Sequence, residues 1–523
     1  MASSASGSST GRRLTRNSAS LITARIVMAV AGLGSLPVLY DQLGAARFGV
    51  WALLGGLVAI VALVDLGLGS ALVRQVAGAL TEPLHRSART ALGVGLVWGV
   101  LLWLLASAGT LVGWPWLARL LQLGELAGEA RQAALTLLLG LLCDGVALPW
   151  RAVLEGTQRY TALAWASGGT AVLGAALAVL VVRLGGGLLA LAASMAATCA
   201  VRAALVVAAA SRWQPRLRPS LRAPGPGELR HLLGYGLQVQ GTGAAGATNL
   251  ELDRFILSGT AGPTVAGGFE LGNRLLNMLR LPPTIVLLTM FPMAVSRAAT
   301  EGPAWLDRFH LTATKHLTAF AAVSSALLVV CADPLVRLWL GQPVWWATVG
   351  IVVLAPSYAL NLAAGATAIV LRVEGRPGQE TGYALLSVLL NLALTWPLLH
   401  LVGPAGVPLA TSIGVALGTA YFIARFHRTS ARPIGPVLRA VRPSVLAGAV
   451  AGLGGGLAAR LLPDGPGRLD AALAVLTRSG VVLLLAVGVL LAAGFLAPAD
   501  RTRLARLLRR PGSPALAPDG VVR

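Results

Sequence analysis

Gln238, Thr242, Asn249 and Asp253 recur at intervals of 4, 7 and 4 in an otherwise apolar stretch, which places them on one helical face. Shortly after come Glu270, Asn273, Asn277 and Arg280, spaced 3, 4 and 3, again one face. Glu251 and Arg254 add an i,i+3 pair, and Arg274 follows Glu270 by four residues, a spacing that allows an ion pair within the helix. Arg25, Asp65 and Asp144 stand singly in further apolar runs, Asp144 with no partner visible from spacing. An ionisable group in a membrane span costs at least ~2.5 kcal/mol, so each of these positions is a candidate site. Guanidinium forks grip phosphate bidentately and stay charged at any accessible pH, whereas carboxylates titrate or bind a cation. A cavity holding both suits an anionic, phosphate-bearing substrate with a proton or Na⁺ as coupling partner. The competing reading is that the charges pair off as glue between helices. For Arg25 there is a third, since an arginine near a helix end can snorkel to the headgroups.

The surrounding chain dictates where such positions sit. Of 523 residues 56% are hydrophobic and 12% charged, and the mean hydropathy is +0.74. Soluble domains are about a quarter charged, so this composition describes an integral membrane protein. Fourteen runs satisfy the ~20-residue length of a membrane helix. They fall at 20–41, 49–72, 91–113, 132–150, 161–182, 184–204, 233–257, 265–293, 316–332, 347–371, 381–400, 403–424, 443–460 and 479–497. With the N-terminus in the cytoplasm, cytoplasmic segments hold 29 Lys/Arg against 9 Asp/Glu, and external segments hold 7 against 5. The net charge of +22 therefore follows the positive-inside rule, and nucleic acid is not needed to explain it. The expected fold is all-α, about fourteen transmembrane helices in two six-helix halves plus two C-terminal helices, with both termini cytoplasmic.

Boundaries follow from composition. A polar tail (1–19) precedes the first half (20–210), without the short apolar region and cleavage site of a signal peptide. A Pro/Gly/Arg-rich connector (211–232) leads to the second half (233–424). A second basic connector (425–442), two more spans (443–497) and a basic amphipathic tail (498–523) complete the chain. Trp114, Trp116, Trp339, Trp345 and Trp346 collect at outer span ends, where amphipathic rings favour the interface. A short repeat lays 43–53 on 261–271, matching Gly44 with Gly262, Gly49 with Gly267 and Trp51 with Phe269. Six spans per half is even, so the halves would be related by an axis along the membrane normal.

Several chemistries lack their residues. There is no GxxxxGK[ST] phosphate loop and no HExxH. Cys143, Cys199 and Cys331 sit singly in apolar segments, so no metal and no cofactor is expected. The lone GxSxG match, at 7–11, lies in the polar tail and not in a strand–turn–helix setting.

The opening unit resembles the Wzx-type polysaccharide flippases of the multidrug/oligosaccharidyl-lipid/polysaccharide exporter superfamily. The resemblance rests on Leu43-Gly44, Phe48-Gly49 and Trp51, then Asp65-Leu66-Gly67-Leu68, Ala71 and Arg74. Gly156, Arg159 and Tyr160 match a further family stretch, as do Asp253 and Arg254. It implies a non-enzymatic flippase in the bacterial cytoplasmic membrane, carrying a polyprenyl-diphosphate-linked oligosaccharide to the outer leaflet for surface polysaccharide synthesis. Alternating access would come from rocking halves, and polysaccharide polymerase or chain-length machinery would be the downstream partner. On that reading Arg25, Arg254, Arg274 and Arg280 attract the diphosphate or acidic sugars. Asp65, Asp253 and Glu270 orient the sugar or carry the coupling ion, and Asp144, Asn249, Asn273 and Asn277 line the cavity. The alternatives are a drug/cation antiporter of the same superfamily, and a membrane-embedded polymerase or glycosyltransferase, for which a long external loop is missing.

Overall fold

The computed structural model describes residues 3–63, 67–79, 85–225, 251–462 and 465–495, together with 227, 229, 230, 232, 234 and 236. Among these residues there is no strand; the backbone is helical almost throughout. The helices are α1 (Ser3–Leu63), α2 (Leu68–Ala79), α3 (His85–Leu120), α4 (Ala127–Gly156), α5 (Tyr160–Arg183) and α6 (Leu188–Trp213). A helical stretch at 251–261 is α7. Then follow α8 (Pro263–Glu301), α9 (Pro303–Leu340), α10 (Trp345–Ala363), α11 (Gly365–Val373), α12 (Gly378–Val402), α13 (Gly406–Thr429), α14 (Ile434–Leu461) and α15 (Arg468–Ala492).

Eleven stretches of the described residues are long and apolar enough to cross a membrane. Two of these contain a reversal. Ile22–Ala62 is broken at Gly44, and Gly378–Thr429 turns through Gly403–Ala405 between α12 and α13. Asp65 and Asn249, with Gln238 and Thr242, lie outside the described residues.

The two ends of the short repeat adopt one backbone conformation. Gly44 has φ 75° and ψ 163°, and Gly262, before α8, has φ 88° and ψ 165°. L-residues with a Cβ rarely adopt that geometry, so glycine sets both reversals. The second matched pair meets in space: a Cβ on Gly267 would lie 2.6 Å from Gly49 Cα, and one on Gly49 would lie 1.9 Å from the Pro263 carbonyl oxygen. Here α1 and α8 touch backbone to backbone, as small residues permit in membrane bundles. Neighbour relations also recur. α3 packs on α4, α4 on α6 and α5 on α6; further along, α9 packs on α10, α10 on α13 and α12 on α13.

The last two helices fasten to one element. α14 and α15 pack on each other and on α9. Gly448 fits against Ala322, and Gly455 against Val330 and Val482. Around the α1–α8 contact lies the largest core, with Phe48, Val50, Leu257, Phe269, Leu271 and Ile351 all buried.

Candidate functional site

The polar residues of α7 and α8 form two separate groups. In the first, Arg254 is the hub, 6% exposed. Its Nη2 lies 2.9 Å from Glu270 Oε2, and its Nη1 lies 3.2 Å from Glu251 Oε2 while donating to the Ala52 carbonyl at 3.1 Å. Gly56 leaves the space this needs: a Cβ there would stand 2.8 Å from Glu251 Oε2 and 3.0 Å from Arg254 Cδ. Arg274 closes the cluster, Nε donating to Glu270 Oε1 at 2.7 Å, and its side chain is 45% exposed. Two acids and two arginines balance. Arg254 is thus a buried clasp between α7, α8 and α1, whereas Arg274 is anchored at Nε and presents the rest of its fork to open space.

From this cluster α8 carries a chain of neutral contacts to Arg280. Asn277 Nδ2 donates to the Asn273 carbonyl at 2.9 Å and to Asn273 Oδ1 at 3.0 Å. Asn273 Oδ1 accepts from the buried Tyr358 hydroxyl at 3.4 Å. Arg280 donates from Nη1 to Asn277 Oδ1 at 3.3 Å and from Nη2 to Asn361 Oδ1 at 3.2 Å, with its guanidinium carbon 4.6 Å from the Tyr358 ring centre. Among the described residues no carboxylate lies within ion-pair distance of Arg280. An amide-and-ring seat orients this cation and leaves its charge unneutralised.

Asp253 belongs to the second group although it neighbours Arg254 in sequence. It is buried and turns toward α12 and α13, where Thr411 Oγ1 donates to Oδ2 at 2.6 Å and Asn391 Nδ2 donates to Oδ1 at 3.3 Å. Thr395 Oγ1 in turn donates to Asn391 Oδ1 at 3.1 Å. The result is a buried carboxylate held by one hydroxyl and one amide, both neutral, with Thr395 behind the amide.

Asp144 is not the lone carboxylate that its spacing suggests. Arg202 of α6 grips it with both branches, Nε to Oδ1 at 3.1 Å and Nη2 to Oδ2 at 2.5 Å, and also donates to Cys199 Sγ at 3.3 Å. Gly140 brings α4 and α6 close enough, its missing Cβ being 3.3 Å from Cys199 Sγ. Arg25 is exposed on α1. No group of three or more His, Cys, Asp or Glu among the described residues could hold a metal ion.

The family described as "Polysaccharide biosynthesis protein" matches residues 14–296, more than half of the chain. The chain belongs to that family. No curated protein matches it. Among solved structures, the lipid II flippase MurJ in an inward closed conformation is similar at TM-score 0.67 and 15% identity, over 88% of this chain and 97% of that one. An inward-facing multidrug resistance MATE family transporter of the MOP superfamily is similar at TM-score 0.61 and 18% identity, over 79% and 94%. A MOP superfamily transporter from Pyrococcus furiosus, whose binding pocket is described as reversed in polarity, aligns at TM-score 0.55 and 16% identity, over 80% and 96%. The chain therefore has the fold that these superfamily members share.

In this family member, sequence reading misses Asn361, Asn391, Thr411, Tyr358 and Arg202. A stripe does mark Asn391, since Ser387, Asn391 and Thr395 recur at intervals of four, and Tyr358 and Asn361 stand three apart on one helix; Thr411 and Arg202 stand without such a pattern. The usable signal is an amide inside a hydrocarbon-length run, which needs a partner wherever it is placed.

Proposed function

We propose that this protein is a flippase that moves a polyprenyl-diphosphate-linked oligosaccharide from the cytoplasmic to the outer leaflet of the bacterial cytoplasmic membrane. The observation that carries this reading is Arg280, a span-embedded guanidinium oriented by Asn277, Asn361 and Tyr358 with no carboxylate within ion-pair distance among the described residues. A fixed, unneutralised cation in that setting attracts an anionic group. Arg274, half-exposed one turn away from Asn277, supplies a second fork for a diphosphate or an acidic sugar. Both termini lie in the cytoplasm on this reading, the two halves rock about the site, and a polysaccharide polymerase takes the delivered product.

Asp253 is the coupling carboxylate. Buried between α7, α12 and α13 and held only by the neutral Thr411 hydroxyl and Asn391 amide, it takes up a proton, or binds Na⁺ through its own oxygens and the Thr411 hydroxyl. The same feature favours a second reading, a cation-coupled drug antiporter, which the unpaired Arg280 disfavours because it would repel a cationic drug.

The test uses cells lacking the gene and measures surface polysaccharide together with the leaflet distribution of labelled lipid-linked oligosaccharide. The intermediate should accumulate on the cytoplasmic side, be cleared by the wild type, and not be cleared by Arg280→Ala or Arg274→Ala at equal membrane abundance. An unchanged lipid-linked pool with altered resistance to cationic drugs would establish the antiporter instead. In proteoliposomes, Asp253→Asn keeps a side chain of the same shape for Asn391 and Thr411 to contact. It should therefore leave the protein folded while removing the response of transport to imposed Na⁺ or proton gradients.

A further inference from the structure

The interval of the short repeat carries through the helices. α3 and α9 begin 218 residues apart, as do α4 and α10, α5 and α12, and α6 and α13, and the same interval separates Gly44 from Gly262. In this register two polar bridges correspond. Asp144 is the eighteenth residue of α4 and Asn361 the seventeenth of α10, while Arg202 is the fifteenth of α6 and Thr419 the fourteenth of α13. Arg202 bridges α6 to α4 through Asp144, and Asn361 Nδ2 bridges α10 to α13 by donating to Thr419 Oγ1 at 3.3 Å. The two seams thus carry a polar contact at one depth, to within about 1.5 Å of helical rise.

The bridges differ in charge. In the second, two neutral side chains meet and Asn361 seats Arg280, which has no carboxylate within ion-pair distance among the described residues. Arg280 follows Gly262 by eighteen positions, and the residue eighteen after Gly44 is Ala62, so the first repeat puts no cation there. Its guanidinium stands on the bridge itself. Asp144 takes Nε and Nη2 of Arg202, Cys199 shares Nη2, and among the described residues Nη1 donates to nothing. The side chains of Arg202 and Asp144 are 32% and 42% exposed. Eleven residues of α6 follow Arg202 and twelve of α4 follow Asp144, so neither stands at a helix end. Hydrocarbon rejects an exposed ion pair at such a position, so the exposed sides face a polar cavity. Two repeats of like orientation share an axis along the membrane normal, which sets this pair across that axis from the Arg280 seat.

We infer that Asp144 and Arg202 form the subsite that reads the sugar of the lipid-linked substrate, while Arg280 and Arg274 hold its phosphates. The inference rests on the flippase reading and adds to it which part of the substrate each repeat takes. The charges decide the division. A phosphate goes to a guanidinium that lacks a counter-ion, and Arg202 already has one. What the neutral pair offers instead is a donor beside acceptors. Nη1 keeps two N–H groups, and a carboxylate with about four lone-pair sites gives only two to Arg202. Hydroxyl groups, each donor and acceptor at once, match that array, as does the carbonyl of an N-acyl sugar. Asp144 has two parts in this. It accepts from a hydroxyl, and it turns the Nη1 edge of Arg202 toward the ligand.

Two probes are titrated into full-length protein in nanodiscs, with binding read by microscale thermophoresis. One is the lipid-linked oligosaccharide that accumulates in cells lacking the gene, and the other is polyprenyl diphosphate without sugar. Arg202→Gln should weaken binding of the first about tenfold, the effect of losing a charge-assisted hydrogen bond, and leave the second unchanged. Unchanged binding of the second probe also shows that the variant is folded. Arg280→Ala should weaken both. Because Arg202→Gln breaks an ion pair, Asp144→Arg with Arg202→Asp is made as well. It restores the bridge with donors and acceptors exchanged, so it should recover the melting temperature without recovering affinity for the oligosaccharide. Recovery of both would overturn the inference and make the pair a structural bridge. Equal weakening of the two probes by Arg202→Gln would overturn it too, since Arg202 would then act on the phosphates or the fold. Undiminished binding of the first probe by Arg202→Gln would overturn it and leave the flippase reading standing. No accumulated intermediate, or no binding of either probe by the wild type, would remove the two together.

Discussion

Arg254 and Arg274 are twenty positions apart, share the Glu270 carboxylate and do different work. Arg254 is enclosed, and its charge faces the buried Glu270 and the partly buried Glu251. Removing one member of a buried ion cluster leaves its partners charged and desolvated, a loss of about 3–5 kcal/mol. Arg254→Ala should therefore lower the melting temperature of the purified protein and its membrane abundance. Arg274→Ala removes a half-exposed fork whose partner Glu270 keeps Arg254, so it should leave the melting temperature within a few degrees while transport falls at least tenfold. Equal melting losses for the two variants would show that Arg274 too is structural. The intrahelical part of this cluster was readable from spacing alone, because residues four apart on a helix must be neighbours. Asp144 and Arg202, 58 residues apart on α4 and α6, were not. Which helices pack together is a tertiary fact, and a lone carboxylate in a sequence carries no sign of its partner.

At the scale of elements, the deciding contact is that of α1 with α8. A helix pair ordinarily packs at 8–10 Å between axes, and the approach at Gly49 and Gly267 leaves no volume for a methyl group. Gly49→Ala must push α1 off Pro263, an overpacking that costs about 1–3 kcal/mol. Its melting temperature should fall, whereas Gly109→Ala on α3, with nothing within 4 Å of the added carbon, should be neutral or slightly stabilising. If Gly49→Ala melts like the wild type, the helices are not held at this distance in the membrane. The eleven-residue repeat foreshadowed this arrangement, since a φ near +80° admits little but glycine and a backbone-to-backbone contact admits no side chain. Apolar runs likewise foretold most helices. They could not foretell the break between α10 and α11 or the neighbours of Asp253, because neither follows from hydropathy.

For the whole molecule, the question is which contacts must part for a substrate to cross. Near the Gly44 end, the α3–α4 turn touches the end of α7: Gln122 Nε2 donates to the Gly259 carbonyl at 2.8 Å and Ser258 Oγ to the Leu121 carbonyl at 2.7 Å. At the opposite end Gly67 lies against Gly236, where a Cβ would stand 2.2 Å from the carbonyl oxygen. Asp253 lies in the chain between Gly236 and Gly259, the residues that make these two contacts, and Arg280 lies on the next helix. If the halves rock about that centre, one end separates while the other stays shut, and a short covalent bridge at either end arrests the cycle. Cysteines at Gln122 and Gly259 in a background with Cys143, Cys199 and Cys331 replaced, joined by a short bismaleimide, should abolish transport in proteoliposomes. Each single cysteine treated with the same reagent should stay active. A bridge within one half controls for crosslinking itself. Gln379 Nε2 donates to Thr429 Oγ1 at 3.1 Å between α12 and α13, and cysteines joined there should leave transport unchanged. Full-rate transport through a completely crosslinked Gln122–Gly259 protein would mean that the two halves do not part at this end. The substrate would then cross by movements inside one half, and Asp253, on α7 against α12 and α13, would be the first place to look for them.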